Sequence, residues 1–296
     1  YEPVMVQEEF DINERGLSNH RYAIKLDEAG DIESILDRAA NRELLASPHR
    51  LTMLFEKPRE WPAWNMDWAD QSRPARVYVG GPAKIRVVEN GPARVAVEIT
   101  REAEGSVFVQ AVRLAAGDAG GRVEFATVVD WKTPASHLKA VFPLTAKNKV
   151  ATYNWDIGTI ERPTNSEKQF EMPSHQWVDL TDASGAFGAT VLTGAKIGSD
   201  KPDDPTLRLT LIRTPGIEGH GYSDQSSQDW GRHEIVYGIA GHAGDFRKGG
   251  TDWQGLRLDQ PPAAVLAPAH AGAIGRTLSL MSVSNGRVRA LAFKKA

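Results

Sequence analysis

"KIRVVENGPARVAVEITR", residues 84–101, alternates apolar and polar side chains on both sides of Asn90-Gly91. Alternation with a period of two is the strand signature, because successive side chains in a strand point to opposite faces. Asn-Gly readily takes the positive φ angles of a tight turn, so the stretch reads as a β-hairpin. The same period recurs along the chain. In "YAIKL" (22–26), Tyr22, Ile24 and Leu26 share one side, with Ala23 and Lys25 on the other. "SVFVQAVRL" (106–114), "GRVEFATVVDW" (121–131), "LRLTLIR" (207–213), "RTLSLMSV" (276–283) and "GRVRALAF" (286–293) read as further strands. The last is again introduced by Asn-Gly, at Asn285-Gly286.

Helical spacing is scarce. "DIESILDRAANRELL" (31–45) places Ile32, Ile35 and Leu36 as a helix would, yet "DEAGDIESILD" (27–37) reads better as two strands around a turn at Gly30. The 27 glycines and 17 prolines are spread as turn punctuation, not pooled in a linker. Many short strands without βα alternation predict an all-β fold, a large antiparallel β-sandwich.

The bulk composition excludes several classes of function. With 35 Lys and Arg against 38 Asp and Glu, the formal charge of −3 offers no basic face for nucleic acid. No apolar run approaches the ~18 residues that a membrane helix needs, so a soluble protein is expected. The absence of cysteine removes disulfides, thiolate nucleophiles and Cys-ligated zinc. The chain opens at Tyr1 without a signal sequence and closes on "ALAFKKA" after an apolar run, a pattern expected of a piece of something longer. The compartment stays open, with the cytoplasm slightly favoured over the periplasm.

Four constellations could carry chemistry. The eight histidines (His20, His49, His137, His175, His220, His233, His242 and His270) form no His-Glu-x-x-His, His-x-Asp or His-x-His. His220, His233 and His242 fall in one loop-rich region without a zinc spacing, so surface or hydrogen-bonded histidine is the plain reading and no metal site is expected. "EWPAWNMDWADQ" (60–71) sets Trp61, Trp64 and Trp68 beside Asp67 and Asp70. Indole faces next to carboxylates hold sugars, and they equally fill an interface or a core. "SDQSSQDWGRHEIVY" (223–237) crowds Asp224, Asp229, Arg232, His233 and Glu234 around Gly231, as a polar site or as a solvated hairpin tip. "GTIERPTNSEKQFEMPSHQWVDLTD" (158–182) is too polar for a core strand and too aromatic for an idle linker, with Arg162, His175, Trp177 and Asp179 within eighteen positions.

Several blocks together resemble the C-terminal β-region of the α-mannosidases of glycoside hydrolase family 38. "LFEKPREWPAWNMDW" (54–68) resembles that family's segment with Lys-Pro, Trp and Ala-Trp at this spacing. "VVDWKTPASHLKAVFPL" (128–144) resembles its Asp-Trp followed by Leu-Lys-x-x-Phe-Pro. "ATYNWDIGTIERPTN" and "FEMPSHQWVDLTD" resemble its Gly-x-Ile-x-Arg-Pro-Thr and Phe-Glu-x-Pro-x-His-x-Trp-x-Asp-Leu blocks. "LRLTLIRTP", "DWGRHEIVY" and "SLMSVSNGRVRALAFKKA" follow in the family's order. Two blocks depart from it. "TGAKIGSD" (193–200) keeps Lys196 and Gly198 but lacks the family's Asn-Asp pair and aromatic, and "DWGRHEI" carries Trp230 and Ile235 where Gln and Phe are common.

The resemblance implies a galactose mutarotase-like supersandwich over residues 1–255, followed at 256–296 by the start of a further strand-rich segment. It implies a non-catalytic domain of a zinc-dependent retaining α-mannosidase acting on α-linked mannosides, giving scaffold and substrate-cleft rim. No cofactor is expected in this chain, because the zinc and the nucleophile are expected in an N-terminal catalytic domain. That domain and a mannoside or other glycan are the expected partners, with no nucleic acid and no membrane. Asp229, Arg232 and His233 are expected first at the rim, then Trp61, Trp64 and Asp67. Arg162, His175, Trp177 and Asp179 are expected to order their loop through mutual hydrogen bonds. The competing readings are an autonomous mutarotase-like enzyme, using His175 or His233 with Glu234 for proton transfer, and a carbohydrate-binding domain.

Overall fold

The hairpin at 84–101 forms, with a different turn from the one its Asn-Gly suggests. Lys84–Asn90 pairs antiparallel with Arg94–Ala103, and neither Asn90 nor Gly91 takes a positive φ. Pro92 is the reason: its ring fixes its own φ and pushes Gly91 towards extended backbone. The connection is closed by the Gly91 amide donating to the Arg94 carbonyl at 3.0 Å, and a bulge between Val87 and Glu89 absorbs the extra residue.

The computed structural model describes residues 10–216, 226–268, 271–273, 278–285, 288, 290 and 293–294. Three antiparallel sheets carry the described chain. The first is a meander of β1 (Asp11–Asn13), β2 (Gly16–Ser18), β3 (Tyr22–Leu26), β4 (Ile32–Asp37) and β5 (Arg42–Glu43). The second, in the order β15-β18-β19-β12-β6-β7, uses β6 (Arg50–Phe55), β7 (Val77–Tyr78), β12 (Ser136–Pro143), β15 (Met172–Pro173), β18 (Gly198–Asp200) and β19 (Thr206–Thr214). The third, in the order β14-β13-β16-β17-β20-β11-β10-β9-β8, uses β8 (Lys84–Asn90), β9 (Arg94–Ala103), β10 (Ser106–Ala115) and β11 (Val123–Trp131). It is completed by β13 (Val150–Trp155), β14 (Gly158–Pro163), β16 (Trp177–Thr181), β17 (Phe187–Thr193) and β20 (Gly231–Ala243).

The five- and six-stranded sheets are linked by bridges from Ile32 to His49 and from Leu45 to Leu144. Together they face the nine-stranded sheet across one core. Phe142 of β12 meets Phe125 of β11 and Tyr237 of β20, and the Trp131 indole N–H donates across the layers to Thr214 at 2.6 Å. The Gly241 amide of β20 donates to the Tyr22 hydroxyl of β3 at 3.0 Å. The predicted antiparallel sandwich is therefore the observed one, and the strand reading of 32–37 holds, with Gly30 at φ +78 in the turn before it.

Several expectations change. Residues 158–182 are not one loop: β14 is the edge strand of the large sheet, and β16 is an inner strand in which Trp177, Val178, Asp179 and Leu180 are all buried. Only 164–176 is an excursion, and a polar residue survives in the inner strand because Asp179 has three donors of its own. Three helices, α1 (Trp68–Gln71), α2 (Phe246–Gly249) and α3 (Thr251–Asp259), form where the sequence carries no helical signal, the last having no clear apolar stripe. His233 and His242 stand in one long strand and not in a loop. Contacts divide the chain after Pro261, so the helix that crosses residue 255 belongs to the larger unit. In Pro262–Ala296 the described residues pair into no strand, including 278–283 of the strand expected at 276–283; alternation supplies a face, but a strand needs a partner. His220, Asp224, His270 and most of the strand expected at 286–293 lie outside the described residues.

Candidate functional site

The registers bring a set of loops to one end of the sandwich. Trp131 pairs with Gly231, and Ser136 pairs with both Phe55 and Thr214, so 56–76, 132–135, 215–216 and 226–230 adjoin the same end. In the large sheet Tyr153 pairs with Val178, Trp177 with Leu192 and Thr193 with Tyr237, which puts the 155–158 turn and the 194–197 loop at that end too. The Ser174 amide donates to the Ile197 carbonyl at 2.7 Å and the His175 amide to the Asn154 carbonyl at 3.0 Å, tying these segments together. This rim carries most of the large exposed apolar side chains of the main unit: Trp61 (53% exposed), Trp64 (76%), Trp155 (42%), Ile157 (86%) and Ile197 (60%).

The sequence-predicted residues fall into three groups. Trp61 and Trp64 stack with ring centroids 5.9 Å apart and planes 10° apart, while Trp68 packs on Phe170 at 5.4 Å. Asp67 accepts from the backbone and side chain of Arg59, and Asp70 is buried, accepting from the Lys57 amide at 2.6 Å. These carboxylates shape the loop. At the start of β20, His233 Nε2 contacts the Asp229 carbonyl at 2.8 Å, and Arg232 pairs with Glu234 at 2.7 Å in the open. His233 and Glu234 are successive strand residues and so lie on opposite faces, which separates one of the two acid/base pairings considered for a mutarotase.

Arg162, His175, Trp177 and Asp179 make no hydrogen bonds to one another. Arg162 lies over the rings of Tyr153 (5.4 Å) and Trp155 (5.8 Å) and contacts the Met172 sulfur. His175 packs on Trp155 at 5.1 Å and accepts from the Asp156 amide at 3.0 Å. Trp177 is buried against Phe246 of α2, and Asp179 accepts from Thr181, Thr190 and His242, each at 2.7 Å.

A further cluster lies on the outer face of the six-stranded sheet. His137 and Lys139 of β12 and Arg208 and Thr210 of β19 point away from the core, yet His137 and Lys139 are completely buried, Arg208 is buried and Thr210 is half-buried. The segments 56–76 and 164–176 cover them and bring Glu56 and Glu171. Lys139 Nζ bonds Glu171, Asp200 (3.0 Å) and Thr210 (2.9 Å). Arg208 clamps Asp200, which also accepts from Asn165 at 2.6 Å. Burial pushes the Asp200 carboxyl up, but Lys139 and Arg208 outweigh it and hold that carboxyl well below the ordinary range. Burial, reinforced by the Lys139 charge, keeps the His137 ring neutral. Glu56 meets Arg213 at 2.7 and 3.0 Å and Gln71 at 2.9 Å, with His137 Nδ1 at 3.6 Å. Its pKa is nonetheless raised to about 7, because burial outweighs Arg213, and Asp70 and Glu171 add to the rise. A faint signal was present: both covering segments carry Phe-Glu-x-Pro, at 55–58 and 170–173.

Zinc, implied by the sequence resemblance, does not fit this chain's described residues. Among them no three His, Asp or Glu side chains come together as ligands, and the buried cluster is filled by cations of its own. Among the described residues no helix is long and apolar enough to cross a membrane.

Comparison with known proteins completes the picture. Residues 17–218 match the family described as glycosyl hydrolases family 38 C-terminal domain. Alpha-mannosidase 2C1 of Mus musculus is 28% identical over 304 residues, covering 100% of this chain and 28% of the relative. The Homo sapiens protein of that name is 29% identical, with 97% and 27% covered, so the chain spans little more than a quarter of these relatives. An α-mannosidase from Enterococcus faecalis V583 has the same fold, with a TM-score of 0.71 at 15% identity, over 88% of this chain and 32% of that one. The chain belongs to glycoside hydrolase family 38 and carries that family's C-terminal domain.

Proposed function

We propose that this chain is the non-catalytic scaffold and cleft rim of a zinc-dependent retaining α-mannosidase, working against a catalytic domain that the relatives' additional length would house. The observation that carries this reading is the apolar rim. Trp61, Trp64, Trp155, Ile157 and Ile197 are exposed at one end of a sandwich whose core is otherwise closed. Concentrated exposed apolar surface marks an interaction site, and aromatic anchors dominate such sites. The occupant of this rim is the catalytic domain of the same enzyme. Asp229, Arg232 and His233, standing at that end, would border the cleft between them, with Asp67 bracing the indole-bearing loop.

Such an enzyme needs a carboxylate nucleophile and a carboxylic acid/base flanking the scissile bond. Zinc would bind sugar hydroxyls there. This chain's own contribution is to shape the cleft wall and exclude water.

The test is hydrolysis of a chromogenic α-mannoside with added zinc, by this chain alone and by the chain joined to such a catalytic domain. Turnover by the joined protein alone is expected. Turnover by the chain alone would overturn the reading.

A further inference from the structure

The loop that presents Trp61 and Trp64 hangs on one side chain. Within 58–66 the described hydrogen bonds stay local: the Trp64 and Asn65 amides donate to the Trp61 carbonyl, Asn65 Nδ2 donates to the Glu60 carbonyl, and Arg59 is held by the adjoining Asp67. The exceptions both come from Arg213 of β19, which donates to the Asn65 carbonyl and, at 3.4 Å, to the Ala63 carbonyl. Arg213 is mostly buried, and its Nε and Nη2 also meet Glu56, the residue that follows β6. One guanidinium thus joins the end of β6 to the middle of the loop. The loop also stores strain, because Trp61 sits at φ +52, a left-handed conformation that a bulky residue adopts only when its surroundings hold it there.

We propose that Arg213, oriented by Glu56, is the positioning residue of the rim: it fixes the Trp61–Trp64 pair in the stacked, exposed arrangement that the catalytic domain meets. Lysine does not substitute for it. An ammonium is a point donor without the planar fork, and so does not span a carboxylate and two carbonyls at once. Why the positioning matters rests on the rim reading above; whether Arg213 does it does not.

The first measurement needs no partner. Two stacked indoles give an exciton couplet in circular dichroism, assigned by its loss in Trp61→Phe and Trp64→Phe. In the whole chain, Arg213→Lys keeps the charge beside Glu56 and should fold, with exchange protection of β9 and β10 unchanged. It should lose most of the couplet and exchange the 58–66 amides about tenfold faster, as expected for losing charge-assisted hydrogen bonds. Arg213→Met should do the same, and if it fails to fold the lysine variant decides. A couplet and loop exchange unchanged in Arg213→Lys would overturn the proposal. The second measurement is binding of a separately produced catalytic domain. Loss of the couplet with unaltered binding would retain the positioning role and refute the docking reading instead.

Discussion

Glu56 offers an unusual expectation: replacing one member of a buried ion pair should stabilise the protein above neutral pH. Its carboxyl is 1% exposed, and its pKa rises from 4.5 to about 7. In the unfolded chain the group releases its proton near pH 4.5, whereas in the fold it keeps the proton to about pH 7. The folded state therefore binds more protons across that window, and stability falls as pH rises through it. At about 1.4 kcal/mol per pKa unit, the loss is roughly 3 kcal/mol once the group is ionised. Glu56→Gln keeps the shape and the neutral state at every pH, and its amide can donate to His137 Nδ1, which has no partner in the described structure. The variant should match the parent near pH 4.5 and exceed it by roughly 3 kcal/mol at about pH 8. Urea denaturation of both proteins at the two pH values measures this, and the difference between them cancels the titrating groups that do not interact with Glu56. A variant less stable than the parent at pH 8 would refute the reasoning, because Arg213 would then outweigh the burial of the carboxylate.

Lys139→Met removes the cation shared by Glu171 and Asp200 and should cost about 3–5 kcal/mol by urea denaturation, since an unpaired buried charge is left behind. Lys139→Met with Glu171→Leu should recover much of that loss, because Asp200 keeps Arg208 and Asn165. Asp179→Ala leaves the buried His242 without its carboxylate partner and takes one acceptor from Thr190, and should cost about 2 kcal/mol in the same assay. Trp64→Ser should leave stability within about 0.5 kcal/mol, as a surface change away from special features does. Urea denaturation beside the parent checks this.

The strands were legible wherever one face meets the core, because alternation records burial on that face directly. Residues 106–114 and 207–213 are examples. The cluster on the other face was not. His137, Lys139, Arg208 and Thr210 occupy the outward positions of alternating strands and read as a solvated surface. Nothing local says that 56–76 and 164–176 will fold over them. The Trp61–Trp64 segment was legible as a site but not as exposed, since Trp131 and Trp177, the same residue type, are buried. The difference is backbone context: the latter two lie in strands, while Trp61 precedes a proline in a loop held open by its own turn. Asp179 shows the opposite error. A charge in the middle of a strand argues against burial only until its partners are known, and those came from β17 and β20.

The rim and the cluster below it divide two jobs that one kind of contact serves badly. An interface gains from apolar surface, but apolar contacts are non-directional and leave a loop free to slide. The two covering segments are instead fixed by carboxylates that meet cations on neighbouring strands: Glu56 meets Arg213 on β19, and Glu171 meets Lys139 on β12. Such pairs are costly to bury and specify geometry. The segments also touch each other through Trp68 and Phe170, so anchoring either one constrains the other. The raised pKa of Glu56 fits this division, because a group kept for register need not be kept for stability. On this view the stabilising substitution at Glu56 and the loosening substitution at Arg213 act on one device from two sides. Glu56→Gln should therefore weaken the hold on the indole pair even as it raises resistance to urea.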